Sequence, residues 1–301
     1  MSLNSYTSVI KATDVEAIRS LLIEGGFEFK DKPYAHFSAK KGKLNVTVYE
    51  KGPKVLVQGK ETEDFVKFTL EPLVLGEARL GYEEVNQPEM FDPHFGIDES
   101  GKGDFFGPLV IAGVYTNAKS TRALMDAGVM DSKRITSAAK ISKLSAIIRN
   151  TRGVKYDVVS IGPESYNRMY GSFKNLNRLL AWGHSKVIAN LAELVPHCRR
   201  ALSDQFARKE VLEKELSRHG VSIDLQQRTK GESDVAVAAA SILARERFVQ
   251  WIDQSSEKSR IEIPLGAGPH VLAAARELIA THGDDILPKV AKMHFKTSKE
   301  V

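Results

Sequence analysis

Apolar and polar positions change their period near residue 94. Before it, Ile18, Leu21 and Leu22 mark one apolar helical face, Thr13 and Glu16 have capping-box spacing, and Gly25-Gly26 supplies a helix stop. Three short runs follow, YAHFSA (34–39), LNVTVYE (44–50) and KVLVQG (54–59), separated by lysine-glycine turns. In the middle run Leu44, Val46, Val48 and Glu50 alternate with Asn45, Thr47 and Tyr49, the period of a strand with one buried face. A second helix is expected from Thr62 to Leu75, kinked or shortened at Pro72. The pattern predicts an α-β-β-β-α unit whose sheet shows Lys and Tyr on its outer face. The polar stretch 76–93, with two prolines, reads as a linker.

From His94 onward, strands alternate with helices. The expected strands are HFGID, GPLVIAGVYT (107–116), VKYDVVSI (154–161), CRRALSD (198–204) and VSIDLQQ (221–227). The expected helices are 137–150, 176–195, 207–220 and the alanine-rich 233–252. Such alternation predicts an α/β domain with a mixed sheet flanked by helices. The domain boundaries expected are 1–85 for the small α+β unit, 86–93 for the linker and 94–301 for the larger domain.

Composition narrows the classes. With 42% hydrophobic and 27% charged residues, the chain has the balance of a globular protein able to bury a core. No apolar run reaches the roughly 18 residues of a membrane span, and MSLNSYTSVIKATD carries neither a basic nor an apolar leader segment. The single cysteine, Cys198, excludes an internal disulfide and a cysteine-built zinc site. A cytoplasmic monomer without membrane contact is the expectation. The net charge is +5, and residues 30–60 hold eight lysines against Asp31 and Glu50. That stretch suits a polyanion, although a solvated lysine-rich face would have the same composition.

The densest chemistry lies in GIDESGKGDFFGPLV (96–110). Asp98 and Glu99 end a short apolar strand directly before the turn Gly101-Lys102-Gly103. Adjacent carboxylates repel and cost folding energy unless a cation compensates them, and a hard divalent ion would do so. Two solvated turn acids are the plainer alternative for this pair alone. The glycine spacing matches neither standard phosphate loop. Asp204 closes a strand, and Asp234 opens the alanine-rich helix; an acid there often only caps. Asp234 is preferred over Glu232 because it leads into the apolar helix face. Acids at two strand ends and a helix start can converge as a two-metal phosphoryl-transfer site requires. His184, His197, His219, His270 and His282 show no metal-ligand spacing and read as structural or surface residues. Asp131-Ser132-Lys133, in a loop before a helix, suits either phosphate binding or capping.

Together these motifs resemble the type 2 ribonucleases H, most closely ribonuclease HIII. The resemblance runs through GIDESGKGDFFGPLV, Asp131-Ser132-Lys133, LSDQF around Asp204 and KGESDVAVAAASILARE around Asp234. The N-terminal unit, through VTVYEKGPKVLVQGKE (46–61), resembles the TATA-binding-protein-like domain of that family. The resemblance implies a ribonuclease H-like fold and an endoribonuclease that cuts the RNA strand of RNA–DNA hybrids. It implies two Mg²⁺ or Mn²⁺ ions on Asp98, Glu99, Asp204 and Asp234, and 5′-phosphate and 3′-hydroxyl products. Gly101, Lys102 and Gly103 would contact ribose 2′-hydroxyls, with Ser132 and Lys133 on the substrate. The sister ribonuclease HII family, which cuts at single ribonucleotides in duplex DNA, usually has a tyrosine where this chain has IPLGAGPHV (263–271). That departure favours the HIII pattern.

Overall fold

The computed structural model describes residues 3–76, 87–129, 137–228 and 231–301, with the side chain of Glu232 left aside. Residues 77–86 of the polar stretch 76–93, and the whole Asp131-Ser132-Lys133 triplet, lie outside the described residues. The chain divides into two compact units, Met1–Pro88 and Glu89–Val301.

The first unit contains β1 (Ser5–Val9), α1 (Asp14–Glu24), β2 (Glu28–Lys30), β3 (Ala35–Lys41), β4 (Leu44–Tyr49), β5 (Lys54–Gln58) and α2 (Thr62–Phe65). Helix α2 runs on as a wider π-helical stretch, Val66–Leu75, with Pro72 inside it. The strands form an antiparallel sheet in the order β1-β5-β4-β3-β2. Val46, Val48, Val55 and Val57 are fully buried with Ile18 and Leu22 of α1. Register places Lys40, Asn45 and Gln58 in one row and Tyr49 beside Lys54, on the face opposite those valines. Two features depart from expectation. The edge strands β1 and β2 lack a clear alternation, and β2 is exposed throughout; pairing with β5 and β3 defines them. The capping box does not form, because Thr13 is already helical (φ −63°, ψ −27°) and its hydroxyl makes no capping bond. Asp14 instead accepts the Lys11 N–H at 2.8 Å.

In the second unit, β6 (His94–Ser100) and β7 (Leu109–Thr116) are followed by α3 (Ala118–Asp126), α4 (Ala138–Asn150) and β8 (Lys155–Ile161). Next come α5 (Pro163–Phe173), α6 (Leu176–Leu194), β9 (Arg200–Asp204), α7 (Lys209–Arg218) and β10 (Asp224–Arg228). The long α8 (Val235–Ser259), α9 (Pro269–His282) and α10 (Leu287–Val290) complete it. The sheet order is β10-β9-β6-β7-β8, with β6 parallel to β9 and antiparallel to β7. It is therefore mixed, with one apolar core on each face. Strand β7 is buried along its whole length: Val110, Ala112 and Val114 pack into the core that holds α8, Leu109 and Ile111 into the core that holds α6. That explains its unbroken apolar run.

Helix α8 lies unusually close to β6. A Cβ on Gly96 would sit 2.2 Å from both the Ala236 carbonyl carbon and the Val237 nitrogen. Only glycine admits the first turn of the helix at this point. The absent side chain thus brings the start of α8 against the strand that carries Asp98 and Glu99.

Candidate active site

Asp98 and Glu99 are consecutive residues of β6, so their side chains leave opposite faces of the sheet. Asp98 faces α8, where Ser241 hydrogen-bonds its carboxyl, and it accepts the Glu99 N–H at 2.9 Å. Glu99 faces α6: Oε2 lies 3.0 Å from Nε2 of buried His184, and Oε1 is 3.4 Å from the Lys102 ammonium. Burial, then the neighbouring Glu99 charge, pushes the Asp98 carboxyl up to about 6. Burial would also raise Glu99, but the His184 hydrogen bond and the His184 and Lys102 charges outweigh it and hold Glu99 below the usual range. One acid of the pair is compensated and the other is not.

Asp204 ends β9. The parallel register pairs Phe95 with Ala201, Gly96 with Leu202 and Ile97 with Ser203. The pairing ends there, and Asp98 and Asp204 are the next residue of each strand. The Gly231 N–H, in the turn before α8, holds Asp204 Oδ1 at 3.0 Å. Asp234 is placed differently. It is the N-cap of α8, and its Oδ1 accepts from the Ala236 and Val237 N–H groups at 2.8 and 3.2 Å. The same oxygen lies 3.0 Å from Nε2 of fully buried His94, whose Nδ1 is 2.7 Å from the Asp92 carbonyl. Asp234 Oδ1 thus caps the helix start and meets His94.

Sequence reasoning missed His184 and His94. The pairs they make span 85 and 140 residues, beyond the reach of local spacing. One signal was available for His184: it interrupts the apolar stripe of Leu180, Val187, Ile188 and Leu191 on α6. A polar residue in such a stripe requires a buried partner.

The turn after β6 is rigidly set. Gly101 has φ +85°, and a Cβ there would meet the Pro108 carbonyl at 2.2 Å. Gly103 differs, since a Cβ there would meet nothing within 4 Å. The segment IPLGAGPHV lies directly against this turn: Gly266 N–H donates to Asp104 Oδ1 at 2.6 Å, and Phe105 N–H donates to the Gly266 carbonyl at 2.8 Å.

The all-oxygen donors Asp98, Glu99 and Asp204 suit a hard cation, and the uncompensated Asp98 charge is what such an ion would balance. Among the described residues no group of three His, Cys, Asp or Glu is close enough to hold a metal by itself. Magnesium-type sites need no such cage, because one or two carboxylates are completed by water and substrate phosphate. The donor chemistry fits.

Residues 95–298 match the family model described as Ribonuclease HII, and residues 9–72 one described as a domain of unknown function (DUF3378). Ribonuclease HIII of Chlamydia pneumoniae is 43% identical over 286 residues, covering 94% of this chain and 93% of the relative. Ribonuclease HIII of Protochlamydia amoebophila is 40% identical, covering 98% and 96%. A crystal structure of Bst-RNase HIII in complex with Mn²⁺ superimposes with a TM-score of 0.68 at 27% identity, covering 98% of this chain and 97% of that one.

The Asp98 charge has a consequence for folding. Its acid is harder to ionise in the fold, so the penalty is absent below pH about 4 and fully present above about 6. In chelator, Asp98→Asn should therefore stabilise the protein at pH 7, by on the order of 2–3 kcal/mol, and have little effect at pH 4. Urea denaturation at the two pH values measures it; equal effects at both would show that the charge is not the cause.

Proposed function

The chain belongs to the ribonuclease HII family, in the branch its relatives carry as ribonuclease HIII, and we propose that Asp98, Glu99 and Asp204 hold its metal. It is a metal-dependent endonuclease that uses Mg²⁺ or Mn²⁺ to hydrolyse the RNA strand of RNA–DNA hybrids, leaving 5′-phosphate and 3′-hydroxyl ends. The observation that supports the residue assignment is the parallel register of β6 and β9, whose last pair, Ile97 and Ser203, directly precedes Asp98 and Asp204. Bound divalent ions supply activation of the attacking water and stabilisation of the leaving 3′-oxygen. His184 and Lys102 orient and compensate Glu99, and the Gly231 N–H orients Asp204. In this reading the acting species is a cytoplasmic monomer, with light scattering of the purified chain as the check.

We assign Asp234 to the helix start rather than to the ion, because its Oδ1 already has three partners. Glu232, in the KGESD segment, is then the fourth acid of the proposed site. Asp98→Asn, Glu99→Gln, Asp204→Asn and Glu232→Gln should each abolish cleavage of a labelled hybrid while hybrid binding persists. Asp234→Ala should lower the melting temperature, since loss of a cap costs about 1 kcal/mol or more, whereas Asp234→Asn keeps a capping oxygen and should keep measurable turnover. A fully folded but dead Asp234→Asn beside an active Glu232→Gln would reverse the assignment.

The turn Gly101-Lys102-Gly103 reads ribose 2′-hydroxyls through its main chain in this proposal, and the neighbouring IPLGAGPHV offers no tyrosine to mark an RNA-to-DNA boundary. The enzyme should cut a continuous RNA strand at several positions and act poorly on a lone ribonucleotide in duplex DNA. Comparable rates on the two substrates in Mg²⁺ would favour the HII type of cleavage.

We also propose that the N-terminal unit holds the hybrid by its phosphates, through the face with Lys40, Lys54, Asn45, Tyr49 and Gln58. Removing residues 1–85 should weaken hybrid binding more than turnover. It should also flatten the slope of log affinity against log salt by about 0.9 for each phosphate that the unit neutralises. An unchanged slope would remove this unit from substrate binding.

A further inference from the structure

Lys292 is fully buried, and among the described residues it has no carboxylate ion-pair partner. Its ammonium lies 5.7 Å from the centre of the Tyr166 ring and 6.0 Å from that of Phe248. A lysine so placed loses hydration unless its donors are satisfied. Here two backbone carbonyls satisfy it, Asp104 O at 2.9 Å and Phe106 O at 3.2 Å. The Lys292 main-chain N–H donates to the carbonyl between them, Phe105 O, at 2.8 Å. Three successive carbonyls of the GKGDFFG segment are thus held by one residue.

The hold is braced from behind. Asn167 on α5 donates to the Ala291 carbonyl at 2.9 Å and accepts the Met293 N–H at 2.9 Å, fixing the chain on both sides of Lys292. Burial lowers the Lys292 ammonium to about 7 against the opposing pull of Asp104. Asp104 lies two residues after Lys102 and one after Gly103, so a shift of these carbonyls moves the substrate-reading turn. Asp98 and Glu99 lie before that turn on a strand paired on both sides.

We propose that Lys292 is a positioning residue for substrate selection: it clamps the carbonyls of residues 104–106 so that the Gly101-Lys102-Gly103 main chain is pre-set for the ribose. This rests on the reading of that turn as the 2′-hydroxyl contact. Pre-set geometry of this kind governs how tightly substrate is held, while Glu99 keeps His184 and Asp204 keeps the Gly231 N–H outside the turn.

The test uses the full-length chain with a labelled RNA–DNA hybrid, and Mn²⁺ alone by calorimetry. Lys292→Met should raise KM by on the order of tenfold or more, with kcat within about threefold and Mn²⁺ affinity unchanged. Hydrogen exchange should quicken in residues 101–107 and stay slow in the central strands. Asn167→Ala, which leaves the lysine intact, should produce the same signature more weakly, and it decides the matter if Lys292→Met does not fold. Gly103→Val, whose side chain enters open space, serves as the control for the turn itself. If Gly103→Val raises KM while KM and loop exchange are unchanged in the clamp variants, the clamp is idle and the turn reading stands. If Gly103→Val also leaves KM unchanged, the turn reading fails and the inference falls with it. Parallel losses of kcat and Mn²⁺ affinity in Lys292→Met would mean general damage to the site and overturn the proposal.

Discussion

Two carboxylates on consecutive residues of a buried strand set the terms for everything around them. Each ionised acid removed from water costs several kcal/mol unless neighbours compensate it, and side by side they also repel. The fold meets this demand unevenly. Glu99 has a histidine and a lysine, whereas Asp98 has a serine, one N–H and a carboxyl that resists ionisation. The unmet part is what a cation bound at the strand end would balance. Asp204 and its Gly231 N–H add a further oxygen-rich wall without adding compensation.

Glycines do the corresponding steric work. Gly96 lets α8 touch β6, which brings Ser241 to Asp98 and the helix start beside the strand. Gly101 allows the chain to reverse tightly after Ser100 while Pro108 and Phe248 press on it. The dense motif 96–110 is therefore two devices in one: a charged strand end and the turn that faces it.

Much of this was legible in the sequence, and the failures have physical reasons. The central strands, the long α6 and the alanine-rich α8 announced themselves because burial on one or both faces imposes a strong period. The motif acids could be named because acids at the ends of apolar strands are costly and stand out. Strands β1 and β2 were missed because edge strands bury little and take their identity from partners. Asp234 shows the limit at the site. Its position before a helix is plain from the sequence, but its contact with His94, 140 residues away, is not. The lysine at 292 was silent for the same reason, since nothing in AKMHF says that its partners are three carbonyls of a distant turn.

The opposite exits of Asp98 and Glu99 from the strand have a wider consequence. Asp98 is tuned from α8 and its core, Glu99 from α6 and the other core, so two separate bodies of packing meet at adjacent residues. Sequence drift beneath one helix acts first on the acid that faces it, and the charge between the two passes part of the change to its neighbour. The pair of acids can thereby be adjusted from two sides, by repacking far from either carboxylate.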